Sequence, residues 1–303
     1  MLSLASRIPA RPAQSAIIAA ALADSAVVWR ELLALGRSRT VEEKTRTAAM
    51  HWLGAVAPSE AVPEIAATMR DAALPHTVRE GAIGALARLP RGSGAAVLIA
   101  VASGAERAVA DPRLRGSATF WLGEADRTRA RPVLRDIAAS DTIDSEVREK
   151  AIFALGHLNP EREDGVFLRA LYRKLPAESS LHDQVVMSVA QMEDPEGLRW
   201  LLALATDAGE GLESRKRALF WAGQQDAITD AELIAIYPRL DGRELRKHYA
   251  FVLSQRTSDA AVDGLIAMAR TDTDSAVRSQ AIFWLGQSRD PRARRYLTEV
   301  LER

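Results

Sequence analysis

One heptapeptide near the end of the chain decides the fold, Ala281-Ile282-Phe283-Trp284-Leu285-Gly286-Gln287. Related blocks occur four more times, as Ala49-Met50-His51-Trp52-Leu53-Gly54, Ala118-Thr119-Phe120-Trp121-Leu122-Gly123, Ala151-Ile152-Phe153-Ala154-Leu155-Gly156 and Ala218-Leu219-Phe220-Trp221-Ala222-Gly223. Weaker copies occupy residues 82–87, 185–190 and 249–254. The glycine-equivalent positions are 54, 87, 123, 156, 190, 223, 254 and 286, so the copies are 31 to 36 residues apart. Eight copies with such even spacing predict a repeat architecture.

Each repeat contains two helical patterns. In the last repeat Val277, Ala281, Leu285 and Ser288 follow a spacing of i, i+4, i+8 and i+11, which predicts a helix over about 275–288 with one buried stripe. First helices include residues 198–204 and 262–268. Asp194-Pro195 and Asp290-Pro291 are typical helix starts. Because no segment shows sustained strand alternation with hairpin turns, the sequence predicts an all-α fold of helical hairpins.

The composition excludes several classes of protein. Of the 303 residues, 48% are apolar, which excludes a disordered chain. Lys+Arg and Asp+Glu are both 40, so the net charge is zero, which argues against a general nucleic-acid binder. With no cysteine, disulfides, zinc ribbons and thiol catalysis are excluded. The longest apolar runs are eight residues, whereas a transmembrane helix needs about 20.

A row of basic residues runs through the repeats, three positions before each block. An acid occupies the position four residues earlier in several repeats, which puts acid and arginine on one helix face. We expect each arginine to meet the acid of the neighbouring repeat, so that the array carries a structural ladder. The arginines are Arg46, Arg79, Arg115, Arg148, Arg215, Arg246 and Arg278, with His182 in the fifth repeat, and the acids include Asp111, Asp144 and Asp274.

The Asp/Glu…Val-Arg…Ala…Leu-Gly pattern resembles the HEAT repeat family, in particular the bacterial HEAT-like repeats of the phycobilisome-lyase type. The resemblance covers residues 16–302 and implies a right-handed α-solenoid of about eight to nine hairpins, with second helices lining the concave face. His182 in the arginine row, and Gly211 and Gly242 in the acid row, depart from the pattern. The fold hosts scaffolds, adaptors, lyases and a few enzymes, so it leaves the function open.

The repeat register divides the chain. Residues 1–15 are predicted to be a disordered tail, residues 16–303 a single solenoid that opens with a half-repeat at 16–23, and residues 291–303 a C-terminal capping helix. An alternative is that residues 1–23 are a signal peptide, since Arg7 and Arg11 precede an apolar run and an A-x-A site. The register favours the half-repeat and with it a cytoplasmic location. A secreted or periplasmic location stays open if the segment is a signal peptide.

A stripe of phenylalanine and glutamine is the candidate binding surface. With Val277 at 0°, Phe283 falls at about 240°, opposite the buried stripe, and Trp284 falls at its edge. The functional interpretation is a concave groove that grips a protein or peptide, with aromatic contacts and glutamine amides pairing with the peptide backbone. The alternative is that neighbouring phenylalanines only pack on each other and seal the seams between repeats. The stripe consists of Phe120, Phe153, Phe220, Phe251 and Phe283 with Gln191, Gln224, Gln255 and Gln287.

No catalytic or metal-binding constellation is found. The His-Glu pairs that mark deoxyhypusine hydroxylase, a dimetal HEAT enzyme, do not occur, nor does any His-x-x-x-His, Gly-Lys-Ser/Thr or G-x-S-x-G motif. Glycine replaces the acid in the repeats of Arg215 and Arg246. An anion-binding site near these two arginines therefore stays open as an alternative to the ladder. We therefore predict no metal and no cofactor.

The leading prediction is a non-enzymatic scaffold or adaptor that binds a protein or peptide partner. Two alternatives stay open. The first is a small-ligand enzyme of the HEAT-like type, such as a bilin lyase. The second is a structural arm of a larger protein or assembly, which the half-repeat at 16–23 favours because it lacks the polar outer face of a cap.

Overall fold

The computed structural model describes residue 15 and residues 17–19, 25–158, 160–176 and 179–302, with the side chains of 25–27 left out. In these ranges the chain is helical and contains no β-strand. We number the α-helices from residue 25 onward. They are α1 Ser25–Arg37, α2 Glu43–Val56, α3 Val62–Arg70, α4 His76–Arg88, α5 Ala95–Ala102, α6 Pro112–Ala125, α7 Arg127–Ala139, α8 Ser145–His157, α9 Arg162–Tyr172, α10 Leu181–Gln191, α11 Pro195–Thr206, α12 Leu212–Gly223, α13 Asp230–Ile236, α14 Arg243–Ser254, α15 Asp259–Thr271, α16 Ser275–Gln287 and α17 Pro291–Leu301.

The chain divides into two compact units, residues 1–159 and 160–303. In the first unit the helices pack in consecutive pairs, α1 with α2, α3 with α4, α5 with α6 and α7 with α8. Each even-numbered helix also packs on the next, from α2 through α4 and α6 to α8. This stacking of hairpins fits an α-solenoid.

The second unit repeats the same scheme. The even-numbered helices α10, α12, α14 and α16 form one stacked row, and the odd-numbered helices α11, α13, α15 and α17 form the other. The pairs α9 and α10, α11 and α12, and α15 and α16 pack as hairpins. The handedness of the repeat, its number of copies and its continuity over residues 16–303 stay predictions.

The repeated block supplies the core because its small and apolar positions face inward. In α16, Val277, Ala281 and Leu285 have no exposed surface, as the helical spacing predicts. The glycine position lies where even-numbered helices approach closely. A Cβ added at Gly54 in α2 would lie 2.8 Å from the Cα of Ala85 in α4, which is too close for any side chain.

Acidic and hydroxyl caps fix the starts of several helices. Asp194 and Asp290 accept backbone N–H groups from Gly197 and Arg292, each at 2.8 Å, and the following proline opens the helix. These caps satisfy donors that a helix N-terminus leaves unpaired. The predicted starts of α11 and α17 are confirmed.

The N-terminal predictions lie largely outside the described residues. Residues 17–19 are helical and Ile17 is buried. Apart from residues 15 and 17–19, the segment 1–23 is not described. The predicted tail over 1–15, the half-repeat at 16–23 and the alternative signal peptide over 1–23 therefore stay predictions. Within the described residues, no helix is long and apolar enough to cross a membrane.

Candidate functional site

The phenylalanines of the second unit lie on successive even-numbered helices. Phe220 in α12 and Phe251 in α14 have ring centroids 6.3 Å apart and planes only 3° from parallel. The row continues into α16, where the Trp284 ring lies 5.4 Å from Phe251 and the Phe283 ring 5.0 Å from Trp284. Phe220, Phe251 and Phe283 take the same position of their repeats, and Trp284, the residue after Phe283, connects the last ring to Phe251. We call Phe220, Phe251, Phe283 and Trp284 the aromatic row.

The row is not sealed by neighbouring helices. Phe220 and Phe251 are half-buried, and Phe283 is 53% exposed. In the first unit Phe120 and Phe153 are half-buried as well, with centroids 5.9 Å apart. The rings thus pack on each other and still present surface to solvent, so both interpretations of the stripe describe part of what is seen.

The glutamines flank the aromatic residues from one turn further along each helix. All four predicted glutamines are exposed, on α10 and at or just beyond the ends of α12, α14 and α16. Gln255 Nε2 donates to Ser254 Oγ at 3.2 Å. Exposed amides of this kind can donate to and accept from a peptide backbone. The residues are Gln191, Gln224, Gln255 and Gln287.

The tryptophans hold the phenylalanines from the edge of the core. Trp121, Trp221 and Trp284 are half-buried, and each meets the phenylalanine that precedes it edge to face, with centroids 5.0 to 5.5 Å apart. Arg88 lies over the Trp121 ring at 4.9 Å. The tryptophan position therefore supports the row mainly through packing.

Histidines adjoin the phenylalanines in both units. His248 in α14 has its ring 5.7 Å from Phe251, and its Nε2 lies 3.0 Å from the Lys216 carbonyl. Burial is the main cause that lowers the pKa of His248, and it also lowers the pKa of His157, which stacks on Phe153 at 3.9 Å. In both rings burial therefore favours the neutral form.

The basic row contacts mainly backbone carbonyls, and fewer of the expected acids. In four repeats the arginine Nε donates to the carbonyl ten residues earlier, which belongs to the last turn of the preceding odd-numbered helix. This carbonyl is one that a helix C-terminus leaves free, and a cation is favourable there. The pairs are Arg46 with Gly36 at 3.1 Å, Arg79 with Met69 at 2.8 Å, Arg148 with Ala138 at 3.1 Å and Arg215 with Ala205 at 3.2 Å.

Two repeats show how the contact adapts. His182 takes the place of arginine, and its Nε2 lies 3.0 Å from the Tyr172 carbonyl, again ten residues earlier. Arg115 donates to the Ala102 carbonyl, thirteen residues earlier, at 3.3 Å. The repeat step is 36 residues there instead of 33, so three extra residues account for the longer offset. Gly104, with φ of +83°, turns the chain within this longer connection.

Among the described residues, the expected ion pair with the predicted acid of the neighbouring repeat occurs at one rung, Arg115 with Asp144 at 3.5 Å. Arg215 pairs with Asp241 and Arg246 with Asp272 at 3.3 Å, both outside the predicted acid row.

Two predicted acids are occupied by other contacts. Asp111 and Asp274 cap their own helices by accepting from Arg113 N at 2.9 Å and Ala276 N at 2.8 Å. Arg278 donates to the Asp272 and Thr273 carbonyls at 2.8 and 3.2 Å. The row is therefore mainly a set of helix-end contacts.

A cleft opens beside the aromatic row, at the C-terminal ends of α14 and α16. Its volume is about 510 Å³, and we call it the Trp284 cleft. Gln255 and Gln287 line it together with Trp284, so it joins the glutamine and aromatic parts of the surface. Sequence reasoning missed its two arginines, Arg256 and Arg289, which take different positions of their repeats because the step there is 32 residues. Elsewhere in the described residues, no three His, Asp or Glu side chains are placed to hold a metal ion.

Comparisons with known proteins agree with a repeat fold. Residues 231–303 match the family model described as HEAT repeats, which supports a HEAT repeat family for this segment. No curated protein matches the chain. Among solved structures, human deoxyhypusine hydroxylase in complex with glycerol is 21% identical over 80% of this chain and 89% of that chain, with a TM-score of 0.36. Likeness at that level carries no argument about activity. HEAT repeats suggest a helical-repeat scaffold.

Proposed function

We propose that this protein is a non-enzymatic scaffold or adaptor that binds a protein partner through the even-numbered helices of residues 160–303. The observation that carries the proposal is the aromatic row. In it Phe220, Phe251 and Phe283 take the same position on three successive even-numbered helices, and none of them is fully buried. Aromatic side chains concentrate binding energy in protein interfaces, and exposed apolar surface of this kind marks interaction sites.

The glutamines would orient a bound chain on this surface. Gln224, Gln255 and Gln287 recur beside the aromatic row at the repeat spacing, so an extended chain crossing the helices meets an amide at each repeat. The proposal includes the finer features that the sequence predicts, a right-handed solenoid of eight to nine repeats of the phycobilisome-lyase type and a cytoplasmic location.

The test is affinity capture with three forms of the full chain, each checked for a native melting curve. Phe283→Ala removes the most exposed ring of the row. Leu301→Ala is the matched control, because Leu301 is 87% exposed and lies at the end of α17, a helix that carries no residue of the aromatic row. We expect a partner retained by the wild type and by Leu301→Ala to be lost by Phe283→Ala. Equal capture by all three forms, or no partner enriched by any of them, would overturn the proposal.

A further inference from the structure

One face of α16 carries a position that is buried in each of the seven earlier copies of the repeated block. Ile282, the second residue of its block, is half-buried, whereas its counterparts are at most 1% exposed. Within each unit the next even-numbered helix approaches this position. A Cβ added at Gly81 in α4, for example, would lie 2.8 Å from the Cβ of Met50 in α2. The counterparts are Met50, Ile83, Thr119, Ile152, Val186, Leu219 and Ala250.

Gly286 lies on the same face, one turn after Ile282, and has open space around it. A Cβ added at Gly286 would meet no described atom within 4 Å. In three earlier copies the added Cβ would meet a residue of the next even-numbered helix. These contacts join Gly54 to Ala85, Gly123 to Ala154 and Gly223 to Val252. A glycine inside a helix is less favourable than an alanine, but it lets a second helix come close. Gly286 offers the same close approach to a helix of another molecule.

Arg278 precedes Ile282 by one turn and pairs with no acid among the described residues. In three earlier repeats the arginine of the basic row pairs with an acid that lies within three residues of the start of the next even-numbered helix. These acids are Asp144 before α8, Asp241 before α14 and Asp272 before α16. Arg278 instead donates to two carbonyls of the connection before its own helix. Its charge is therefore available to a carboxylate of another molecule.

The contacts between α12 and α14 show how a helix lies on such a face. Arg215, near the start of α12, pairs with Asp241 just before α14, and Gly223 at the end of α12 lies against Val252 near the end of α14. The two helices therefore run in the same direction. On α16 the equivalent residues are Arg278 and Gly286, again eight positions apart.

We propose that Arg278, Ile282 and Gly286, which we call the stacking face, bind an α-helix of a partner protein that carries an aspartate or glutamate at its start. The acid pairs with Arg278, an apolar side chain covers Ile282, and the helix passes close to Gly286, parallel to α16. The partner helix thus continues the row of α10, α12, α14 and α16. The inference goes beyond the proposed function, because the stacking face borders the aromatic row at Phe283 but consists of other residues.

The probe is a synthetic peptide with the sequence of residues 241–255, acetylated and amidated. In the chain this segment begins with Asp241 and packs on the equivalent face of α12. Isotope-labelled glycine in the full chain gives 18 backbone amide signals, and the signal missing from Gly286→Ala identifies Gly286. We expect a saturable shift of the Gly286 signal as peptide is added. The binding should be weak, because a short isolated helix is only partly formed.

Two glycine variants locate the binding. Gly286→Gln adds bulk without charge to the stacking face. Gly211→Gln is the matched control, because Gly211 is also exposed, lies before α12 and has no described atom within 4 Å of an added Cβ. Both variants should melt like the wild type. With a fluorescent label on the peptide, we expect binding to fall by about tenfold in Gly286→Gln and to stay unchanged in Gly211→Gln.

The acid is tested by changing both partners. A peptide with Asp241→Asn should bind the wild type roughly threefold more weakly. In Arg278→Gln the difference between the two peptides should shrink, because one side of the pair is gone. This comparison separates pairing with Arg278 from the general benefit of an acid at a helix start.

No shift of the Gly286 signal, equal binding to the two glycine variants, or the same peptide ratio in Arg278→Gln as in the wild type would overturn the inference. If Arg278→Gln does not fold, the two glycine variants decide. Every variant keeps the aromatic row intact, so the scaffold proposal stands or fails separately, on the capture experiment with Phe283→Ala.

Discussion

Phe220 and Phe251 lie on consecutive even-numbered helices with their rings nearly parallel and their centroids 6.3 Å apart. The two rings lie side by side between α12 and α14 and both are half-buried, so the pair contributes to the packing of these helices and keeps part of its surface exposed. Packing and binding therefore apply to different residues of the aromatic row. Phe251 lies within the row and mainly packs, whereas Phe283 lies at its end and is the most exposed.

Phe283 and Phe251 should respond differently to truncation. Phe283→Ala should lower the affinity for a partner by more than about 2 kcal/mol, with a small effect on unfolding, because the side chain is 53% exposed. Phe251→Ala should lower the free energy of unfolding by about 2–3 kcal/mol, since its ring contacts Phe220 and Trp284. Denaturant unfolding and a titration with the captured partner check both. Equal losses of stability in the two variants would contradict this assignment.

The arginine contacts should stabilise the hairpins. Arg148→Ala leaves the Ala138 carbonyl at the end of α7 without its charged donor, so we expect a loss of about 1–3 kcal/mol in the free energy of unfolding. Arg107→Ala is the control, because Arg107 is exposed and should change stability by less than about 0.5 kcal/mol. If the two variants unfold alike, the contact at Ala138 is not stabilising.

Two partly desolvated histidines predict a loss of stability in mild acid. Burial lowers the pKa of His248 and His157 below the ordinary value of 6.5, so the unfolded chain binds protons more readily than the folded one. Stability present above pH 6.5 should therefore fall as the pH drops through the lowered pKa values. Melting curves between pH 7.5 and 5, taken at intervals of about half a unit, measure the slope.

His248→Gln should reduce that slope, because it removes one of the groups that must be protonated. Burial is the largest cause of the lowered pKa of His248; the hydrogen bond to the Lys216 carbonyl and the charge of Glu213 favour protonation, and the charge of Lys216 opposes it. A slope unchanged by His248→Gln would show that the ring is not a source of the acid sensitivity.

Substitutions of Asp194, which caps α11, should distinguish the contribution of capping from that of ion pairing. Asp194 accepts from Gly197 N at 2.8 Å and from Arg169 Nη1 at 3.1 Å. Asp194→Ala removes both contacts and should cost about 1–2 kcal/mol of unfolding free energy. Asp194→Asn keeps a capping oxygen and should retain most of that stability, as judged by denaturant midpoints. The prediction fails if asparagine and alanine are equally destabilising, because the cap would then contribute little.

The helices could be predicted from sequence because their signals are local. The spacing of Val277, Ala281 and Leu285 predicts the buried face of α16, and the same helical geometry puts Phe283 on the opposite side, where it is 53% exposed. A periodic pattern of this kind reports which face is covered without reference to any distant residue.

The partners of the arginines could not be predicted in the same way. Acid and arginine four residues apart share a helix face, which favours an ion-pair ladder, but the carboxylates of Asp111 and Asp274 are occupied at the starts of their own helices. The free carbonyl that takes the arginine carries no sequence signal, since every residue has one. The Trp284 cleft was missed for a related reason, because it forms where two helix ends and two connections meet.

The arginine-to-carbonyl bonds have a consequence for how this chain can be divided. Each bond runs backward, from an even-numbered helix to the end of the odd-numbered helix before it, as Arg79 does to Met69. A cut after an even-numbered helix therefore keeps each such donor with its acceptor, whereas a cut inside a hairpin separates them. Shortened or extended versions of the array should be built from whole hairpins that end after an even-numbered helix. A gene duplication that copied such a hairpin would have copied the arginine together with the carbonyl that it binds.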